Sequence, residues 1–530
     1  MTALDSISLQ RPFYFVVVLW GERFRDYFLE YCLPSLLAPG NIPALDRRRG
    51  SKFLIATRPD DWAAMTATPI FRRLAEYVEP VYIEIPPCPP EKSGCQHMGV
   101  GHSLATEIAY RDKAYAVMVT PDLMLSDGTM ARVQELAQAG KQAVLVAALR
   151  FGEEPFLGNL EAAGAIPRDS RRDSGSPLSI SGRAMVAAAV DGLHSETLRY
   201  EWGAPYFSNL PAACWWRVPD EMGMVVHSLS WAPLLLDYGA VDEHDTTALE
   251  TWTMDADYVY KNLKDWHRIH VVQDSDEMFV ASWAPLADKA FELIPSKLLQ
   301  HRTWGSLTRS AILHAAYRSP VFDPLKRAIF FLPVRWHARP LNENWRAVER
   351  RAQRTILIVV GLPRRGAAKS AWSPASLAPK ISRQAGPTTL VPDAATLAAP
   401  YRLGPGGAFS AGLLLRAWAM RMAIFGLRVA NLGFRIGMML TSIAMHGAML
   451  GFRGLLWVVG PIYRVISVSF DIWRSRRVIF HKLGQIARGD REAKDYVTLR
   501  LRVVVARLLG RQLHPKLYRP EPTDLERAAT

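Results

Sequence analysis

Short apolar runs separated by amphipathic stretches dominate the first 130 residues of the chain. The runs are rich in Val, Ile, Phe, Tyr and Leu without polar alternation, a pattern typical of strands buried on both faces. Between them, residues 25–37 and a segment carrying Leu104 and Ile108 have apolar positions at helical spacing. The predicted strands are residues 15–19, 52–57, 81–85 and 115–119. Strands that alternate with helices predict an α/β domain with a parallel sheet and right-handed crossovers.

A carboxylate follows the fourth predicted strand. Pro121 and Asp122 end that strand, and a second turn comes at residues 126–128. Open α/β sheets bind their ligands in the crevice outside the carboxyl ends of the strands. Asp122 is therefore predicted to face a ligand.

This order of elements, with Asp122 after the fourth strand, resembles the core of family-2-type glycosyltransferases. Their GT-A fold ends a strand in an Asp-x-Asp that holds a divalent metal and a sugar nucleotide. The chain has Thr120-Pro121-Asp122 at that place, so only the second Asp carries over. The resemblance implies a GT-A-like, Rossmann-type sheet flanked by helices. It also implies a nucleotide-sugar donor, with Mg²⁺ or Mn²⁺ bound through Asp122.

The resemblance further implies a base carboxylate, and often a metal-binding histidine, later in the chain. Such a base takes the proton of the acceptor hydroxyl while the leaving diphosphate is stabilised. The candidate bases are Asp220, Glu221 and Asp237, and His227 is the candidate metal ligand. Solvated turns and a structural histidine are the alternative interpretation of these residues.

Two further acidic pairs are candidate ligand sites. Asp255-Ala256-Asp257 matches the Asp-x-Asp metal motif of the family and is a metal-ligand candidate. No apolar strand leads into it, however. Asp274 and Asp276 follow a strand predicted at residues 269–272, which also favours a place at a sheet edge. Either pair is a candidate for binding a metal or the acceptor, with chance occurrence of a short acidic pattern as the alternative.

The remaining candidates for donor binding lie near the ends of the predicted strands. Trp20 and Glu22 follow the first strand, where this fold cradles the base, and Arg58 follows the second. Gly99 and Gly101 would bring backbone amides near a phosphate, although a lone Gly-x-Gly is a weak signal. Generic turn residues are the alternative. A zinc site is a further alternative, because its preferred ligand types occur at Cys88, Cys95, His97 and His102.

Composition divides the chain into regions. Residues 362–410 are rich in Pro, Ala, Ser and Gly, which predicts a linker. Residues 1–285 are assigned to the GT-A-like domain and residues 286–361 to a mainly helical extension of it. Four cysteines in 530 residues indicate a reducing compartment, and the acidic start of the chain predicts no secretion signal.

The basic charge is concentrated at the end of the chain. Residues 351–530 carry a net charge of +20, whereas the first 350 residues carry −6. Within residues 411–480 a basic stripe recurs at intervals close to whole helical turns. Its members are Arg421, Arg428, Arg435, His446, Arg453 and Arg464.

This stripe on an apolar helix predicts that residues 411–530 form a basic amphipathic helical tail, which binds an anionic membrane surface through residues 411–480. The longest uncharged run, residues 436–452, is short for a span, although a span or a soluble bundle stays an alternative. The pairs Gly433–Gly437 and Gly447–Gly451 favour helix association, so the tail is a candidate for homo-oligomer contacts. Nucleic acid is not expected as a partner, because the stripe lacks polar neighbours that read bases.

The predicted protein is thus a membrane-associated glycosyltransferase, peripheral or monotopic on the cytoplasmic face. It would move a sugar from a nucleotide-sugar donor to a glycan, a lipid-linked acceptor or a protein. Two alternative functions remain. One is a non-catalytic GT-A-like scaffold or carbohydrate-binding protein, and the other is a metal-dependent hydrolase that uses Asp122, His227, Asp255 and Asp257.

Overall fold

The computed structural model describes residues 11–167, 175–288 and 292–360, and eight isolated residues from 419 onwards. The chain divides into two compact units, residues 1–422 and 423–530. In the second unit the described residues are helical. The predicted linker, residues 362–410, and nearly all of the predicted tail, including its basic stripe, lie outside the described residues.

Thirteen strands and fourteen α-helices are found in the described ranges up to residue 360. The strands are β1 (Phe13–Val18), β2 (Lys52–Thr57), β3 (Glu79–Glu84), β4 (Tyr115–Met118), β5 (Leu123–Leu125), β6 (Ala143–Ala147), β7 (Arg150–Gly152), β8 (Ala213–Val218), β9 (Gly223–Ser228), β10 (Trp231–Asp237), β11 (Ile269–Val271), β12 (Val280–Ala284) and β13 (Val334–His337).

The helices follow the same order along the chain. They are α1 (Glu22–Tyr27), α2 (Leu33–Leu36), α3 (Pro59–Thr66), α4 (Pro69–Ala75), α5 (Gly94–Arg111), α6 (Thr129–Gln138), α7 (Glu153–Ala162), α8 (Gly182–Val190), α9 (Ser195–Leu198), α10 (Ala256–Asn262), α11 (Lys297–Gln300), α12 (Arg302–Arg318), α13 (Pro324–Ile329) and α14 (Glu343–Val360). A π-helical turn, Phe28–Cys32, joins α1 to α2.

Seven strands form the central sheet in the order β3-β2-β1-β4-β10-β6-β11. The four strands predicted from the apolar runs are confirmed, and they pair in parallel. The arrangement is compatible with a Rossmann-like fold, whose first strands also follow the order 3-2-1-4. The sheet is not wholly parallel as predicted, because β10 runs antiparallel to both β4 and β6.

The apolar runs form central strands because both of their faces are covered. All six residues of β1 are buried. Tyr14 and Val16 belong to one apolar cluster, whereas Phe13 and Phe15 belong to the cluster on the opposite face. This two-sided burial explains why the sequence shows no polar alternation in the strand.

Two three-stranded sheets flank the central one, in the orders β5-β12-β7 and β13-β9-β8. The second sheet crosses the predicted boundary at residue 285. Residues 292–360 supply the helices α11–α14 and also β13, which pairs antiparallel with β9. Apolar residues of α12 and α14 pack in one cluster with residues of β8 and β9, so the extension completes the domain.

Among the described residues, no helix has the length and apolar character that a membrane crossing requires.

Candidate functional site

The chain changes direction in the central sheet between β1 and β4. After β1 it adds β2 and β3 on one side, and it returns to add β4 on the other. Such a switch point opens a crevice at the carboxyl ends of the two strands, where α/β sheets bind ligands. Trp20 follows β1 and Asp122 follows β4, so both stand at this crevice. The ring of Trp20 meets that of His97, in the first turn of α5, edge-on at 5.2 Å between centroids.

The small sheet β5-β12-β7 fixes Asp122. The carbonyl of Asp122 accepts a hydrogen bond from the backbone amide of Trp283 at 3.3 Å, and its Oδ2 accepts one from Ser282 Oγ at 3.5 Å. Ser282 of β12 is in register with Leu123 on one side and with Arg150 on the other. The sheet thereby brings Arg150 close to Asp122.

Arg150 supplies positive charge beside this carboxylate. Burial lowers the pKa of Arg150, but the negative charges of Asp122 and Glu196 outweigh that effect and raise the pKa above its ordinary value. The Nε of Arg150 lies 3.6 Å from a carboxylate oxygen of Glu196. Burial raises the pKa of the Cys95 thiol in the first turn of α5, and the charges of Arg150 and Asp122 also act on it. The beginning of α5 therefore borders the same site.

Glu153, the first residue of α7, is a carboxyl that sequence reasoning missed. It accepts a hydrogen bond from the phenol of Tyr27, whose own pKa is raised by burial, by Glu153 and by Asp122. Burial raises the pKa of Glu153, and the neighbouring charge of Glu154 adds to the effect. Carboxyls with a raised pKa in a crevice are candidates for proton transfer. The sequence signal was an acidic pair directly after a short strand.

The predicted donor-binding residues have different environments. Trp20 stands at the crevice, as described above. Glu22 is exposed in the first turn of α1, 3.8 Å from Arg25, and Arg58 is exposed at the residue before α3. No contact in the described structure tests a role for Glu22 or Arg58.

Gly99 and Gly101 do not form a phosphate loop, which corrects the prediction. Both lie inside α5, beyond its first turn, so their amides are used within the helix. A Cβ on Gly101 would come within 2.6 Å of a Val18 methyl carbon, and one on Gly99 would strike the backbone carbonyl of Leu249. These glycines allow α5 to pack closely on the sheet and on the loop that precedes α10.

The predicted bases Asp220 and Glu221 lie at the turn between β8 and β9. The backbone carbonyl of Asp220 accepts a hydrogen bond from Arg339 at 3.0 Å, and the carboxylate of Glu221 accepts one from Asn342 at 2.5 Å. The same turn is bonded to the residue after β13, through Ala338. The structure therefore attaches these residues to the β13 side of the domain and shows no contact between them and Asp122.

Asp237 is wrong as a catalytic partner of Asp122, because the two residues lie at opposite edges of the sheet. Asp237 pairs with Tyr115 at the start of β4, whereas Asp122 comes after its end. The carboxylate of Asp237 forms an ion pair with Arg11 and also accepts the amide of Gly239 at 2.8 Å. Its role is to tie the segment just before β1 to the end of β10.

His227 is a core histidine in this structure. It is fully buried, its Nδ1 donates to the Phe330 carbonyl at 3.0 Å, and its ring packs against Trp216 and Phe330. Burial lowers its pKa to about 4, so the ring is neutral at pH 7. Within the described residues it joins no group of three potential metal ligands. The predicted metal role is therefore not supported by its surroundings.

Asp255 and Asp257 are held by a lysine, which corrects the prediction that they bind a metal. The Nζ of Lys326 lies 3.1 Å from Asp255 and 3.0 Å from Asp257, and it is 3.7 Å from Asp323. These four residues are called the Lys326 cluster below. The lysine side chain is only 6% exposed, so an internal ammonium already occupies the place of a cation.

The other acidic pair meets a histidine. Asp274 follows β11 and Asp276 lies in the turn after it, while His337 ends β13. The potential ligand atoms of these three residues all lie within 4.8 Å of one another, and the group, called the His337 cluster below, could hold a metal ion. Across the described residues, no other group of three or more His, Cys, Asp or Glu meets this criterion, so the alternative zinc site at Cys88, Cys95, His97 and His102 is not formed.

The His337 cluster and Asp122 are separate sites. β11 and β4 have the same direction in the sheet, so Asp274 and Asp122 lie at the same edge. Three strand spacings separate them, which amounts to roughly 14 Å. One ion cannot contact both carboxylates.

Comparison with known proteins adds no assignment: no family model matches the chain, and no curated protein matches it.

Proposed function

We propose that this chain is a glycosyltransferase that binds a nucleotide-sugar donor in the crevice between β1 and β4. The observation that carries the proposal is the arrangement of Asp122, Arg150 and Glu153 at a switch point of the sheet. A diphosphate sugar needs a positive group for its phosphates and acceptors for its hydroxyls. Arg150 supplies the first, and Asp122 supplies the second, as acidic residues at such strand ends do for ribose hydroxyls.

The resemblance to family-2-type glycosyltransferases also implies a divalent metal at Asp122. The residues of the crevice do not fit that ion well, because the motif retains one carboxylate and Arg150 stands beside it. In the described residues the three-ligand group lies elsewhere, at the His337 cluster. The proposed reaction therefore draws its positive charge from Arg150, and no step passes through a metal.

In the proposed reaction, an acceptor hydroxyl attacks the anomeric carbon of the donor sugar. The new carbon–oxygen bond forms as the bond to the diphosphate oxygen breaks. Glu153 takes the hydroxyl proton, and Arg150 stabilises the charge that develops on the leaving diphosphate. A carboxyl with a raised pKa suits this role because proton transfer is most efficient when the pKa of the base lies near the working pH.

We infer the class of acceptor from the tail, and this inference rests on sequence alone. A basic amphipathic tail at residues 411–480 would hold the enzyme on an anionic membrane and could also pair with a second copy. We therefore propose a glycan, a lipid-linked molecule or a protein at the cytoplasmic face of a membrane as the acceptor.

The full chain should bind one class of nucleotide sugar, which thermal shift measures with a panel of donors in the presence of EDTA or Mn²⁺. A donor at 100 times its dissociation constant adds about 2.7 kcal/mol to the free energy of unfolding. Asp122→Asn should weaken donor binding at least tenfold, a loss of about 1.4 kcal/mol. Asp242→Asn, a change at an exposed carboxylate, is the matched control and should bind as the unmodified chain does.

Glu153→Gln separates binding from chemistry. It should bind the donor normally and lower kcat by about 100- to 10,000-fold, as expected when a general base is lost. A folded chain that binds no donor would reject the transferase and favour a scaffold. Donor binding with unchanged turnover in the Glu153 variant would remove that residue from the mechanism.

A further inference from the structure

A hydrogen bond at one ring nitrogen orients His337 as in metal-binding histidines. Its ring is almost fully buried, and its Nδ1 donates a hydrogen bond to the backbone carbonyl of Arg339 at 2.8 Å. The proton on Nδ1 leaves a lone pair on Nε2 in the neutral ring. Metal-binding histidines are oriented in this way, with the second ring nitrogen donating to a carbonyl or a carboxylate.

The second ring nitrogen of His337, Nε2, faces two carboxylates. Nε2 lies 2.8 Å from an oxygen of Asp274 and 4.0 Å from an oxygen of Asp276. A neutral imidazole nitrogen and a carboxylate oxygen are both acceptors, so they approach this closely only when a cation lies between them. That cation is either a proton or a metal ion. Ligands of tetrahedral zinc, bound at about 2.1 Å, stand roughly 3.4 Å apart, which is within 1 Å of both observed distances.

The backbone holds the three ligands in place. Ser275, between the two aspartates, donates its amide to the Arg335 carbonyl at 2.9 Å, and its hydroxyl accepts the amide of His337 at 3.1 Å. A Cβ on Gly182 would strike the carbonyl of Ser275, so α8 packs directly on the turn. Ligands fixed on the end of a strand and on a packed turn need little reorganisation to bind an ion.

Two arginines compete for the same carboxylates. Arg183 makes a two-pronged ion pair with Asp276, at 2.8 and 2.6 Å, on a surface where both side chains are more than 40% exposed. Arg335 is 4.0 Å from Asp274, but its closer partner is Glu349 at 2.7 Å. A solvent-exposed ion pair adds little to stability, so Arg183 is a displaceable competitor.

We propose that Asp274, Asp276 and His337 form a binding site for a divalent transition-metal ion, with zinc preferred. Two carboxylate oxygens and an imidazole nitrogen suit zinc, and zinc binds such ligands more tightly than manganese does. Three protein ligands leave one position of a tetrahedral ion open to water. The site lies outside the donor crevice and does not depend on the transferase activity.

Isothermal titration of the full chain with Zn²⁺, and separately with Mn²⁺, tests the site after treatment with EDTA. One Zn²⁺ per chain should bind, and Asp276→Asn, Asp274→Asn and His337→Gln should each weaken the binding at least tenfold. Asp257→Asn, from the other acidic pair, is the matched control and should retain it. Arg183→Gln should tighten the binding, because it removes the competing cation.

Circular dichroism checks that each variant is folded, and Asp276→Asn, at an exposed carboxylate, keeps the test decisive if His337→Gln misfolds. Failure of the folded full chain to bind either ion below about 100 µM would overturn the proposal. Equal binding in all the variants would overturn it as well, since the ion would then lie elsewhere.

Discussion

The Lys326 cluster and the His337 cluster begin from the same three-residue pattern, two aspartates separated by one residue. In the first, a buried ammonium lies within 3.1 Å of both carboxylates. In the second, the central group is an imidazole whose other nitrogen is already bonded, and the nearest arginine side chain is exposed. The first cluster is closed by its own cation, whereas the second can admit one from solution.

The comparison shows that the function of an acidic pair depends on which residue it contacts in the folded protein. The sequence Asp255-x-Asp257 matches the Asp-x-Asp metal motif, yet the ammonium of Lys326 occupies the place of an ion there. Three carboxylates also share that single ammonium, so ionising all three is unfavourable. Burial and the neighbouring Asp257 raise the pKa of Asp323 to about 7. The cluster thus has a structural role, joining α10 to α13.

Removing the lysine should give the largest effect. Lys326→Met leaves three partly buried carboxylates without a counter-charge, and we expect the free energy of unfolding to fall by about 3 kcal/mol. Urea unfolding at pH 7 measures it. Lys297→Met, at an exposed lysine, should change stability by less than about 0.5 kcal/mol. A small loss in the Lys326 variant would mean that the carboxylates are solvated, and the contrast between the clusters would fail.

The Lys326 cluster should also have its own pH dependence. Because the pKa of Asp323 is raised on folding, the folded chain holds a proton that the unfolded chain releases. This stabilisation is complete below about pH 4 and is lost as the pH rises through about 7. Asp323→Asn should remove the loss, so the difference in unfolding free energy between pH 5 and pH 8 should shrink by more than about 1 kcal/mol.

Urea unfolding at the two pH values, for the unmodified chain and for Asp242→Asn beside it, provides the comparison. The Asp242 variant, changed at an exposed carboxylate, should keep the pH dependence of the unmodified chain. If Asp323→Asn leaves the pH profile unchanged, the three carboxylates do not share a proton.

The smallest effect is expected at the open cluster. Arg183→Gln breaks an exposed ion pair, which is worth at most about 1 kcal/mol and less at high salt. Urea unfolding in low and high salt, with EDTA present, should show a small difference that fades as salt is added. A loss as large as that of the Lys326 variant would show that Arg183 closes its cluster as firmly as the lysine does.

The secondary structure followed well from local pattern. The strands predicted at residues 15–19, 52–57, 81–85 and 115–119 are all present within two residues of their observed bounds. Buried parallel strands need continuous apolar sequence, and that requirement is visible in one dimension. The antiparallel strand β10 has the same apolar character. Its direction in the sheet could not be predicted, because the sequence does not show which neighbour a strand pairs with.

The sites were harder to predict, since each depends on residues brought together from distant parts of the chain. Asp122 was placed at the crevice because a strand end is a local feature. Its neighbours Arg150 and Glu153 were missed because they arrive through the small sheet, by the pairing of β5, β12 and β7. Asp237 was misassigned because the antiparallel direction of β10 carries it to the other edge.

The sequence by itself determined the buried strands, the carboxylate that ends β4 and the uneven distribution of charge, since all three are properties of neighbouring residues. Only the tertiary structure decided which cation each carboxylate meets. Lys326 is 71 residues from Asp255, and His337 is 63 residues from Asp274. Electrostatic interactions depend on distance in space and on burial, and folding fixes both by contacts that no local pattern records.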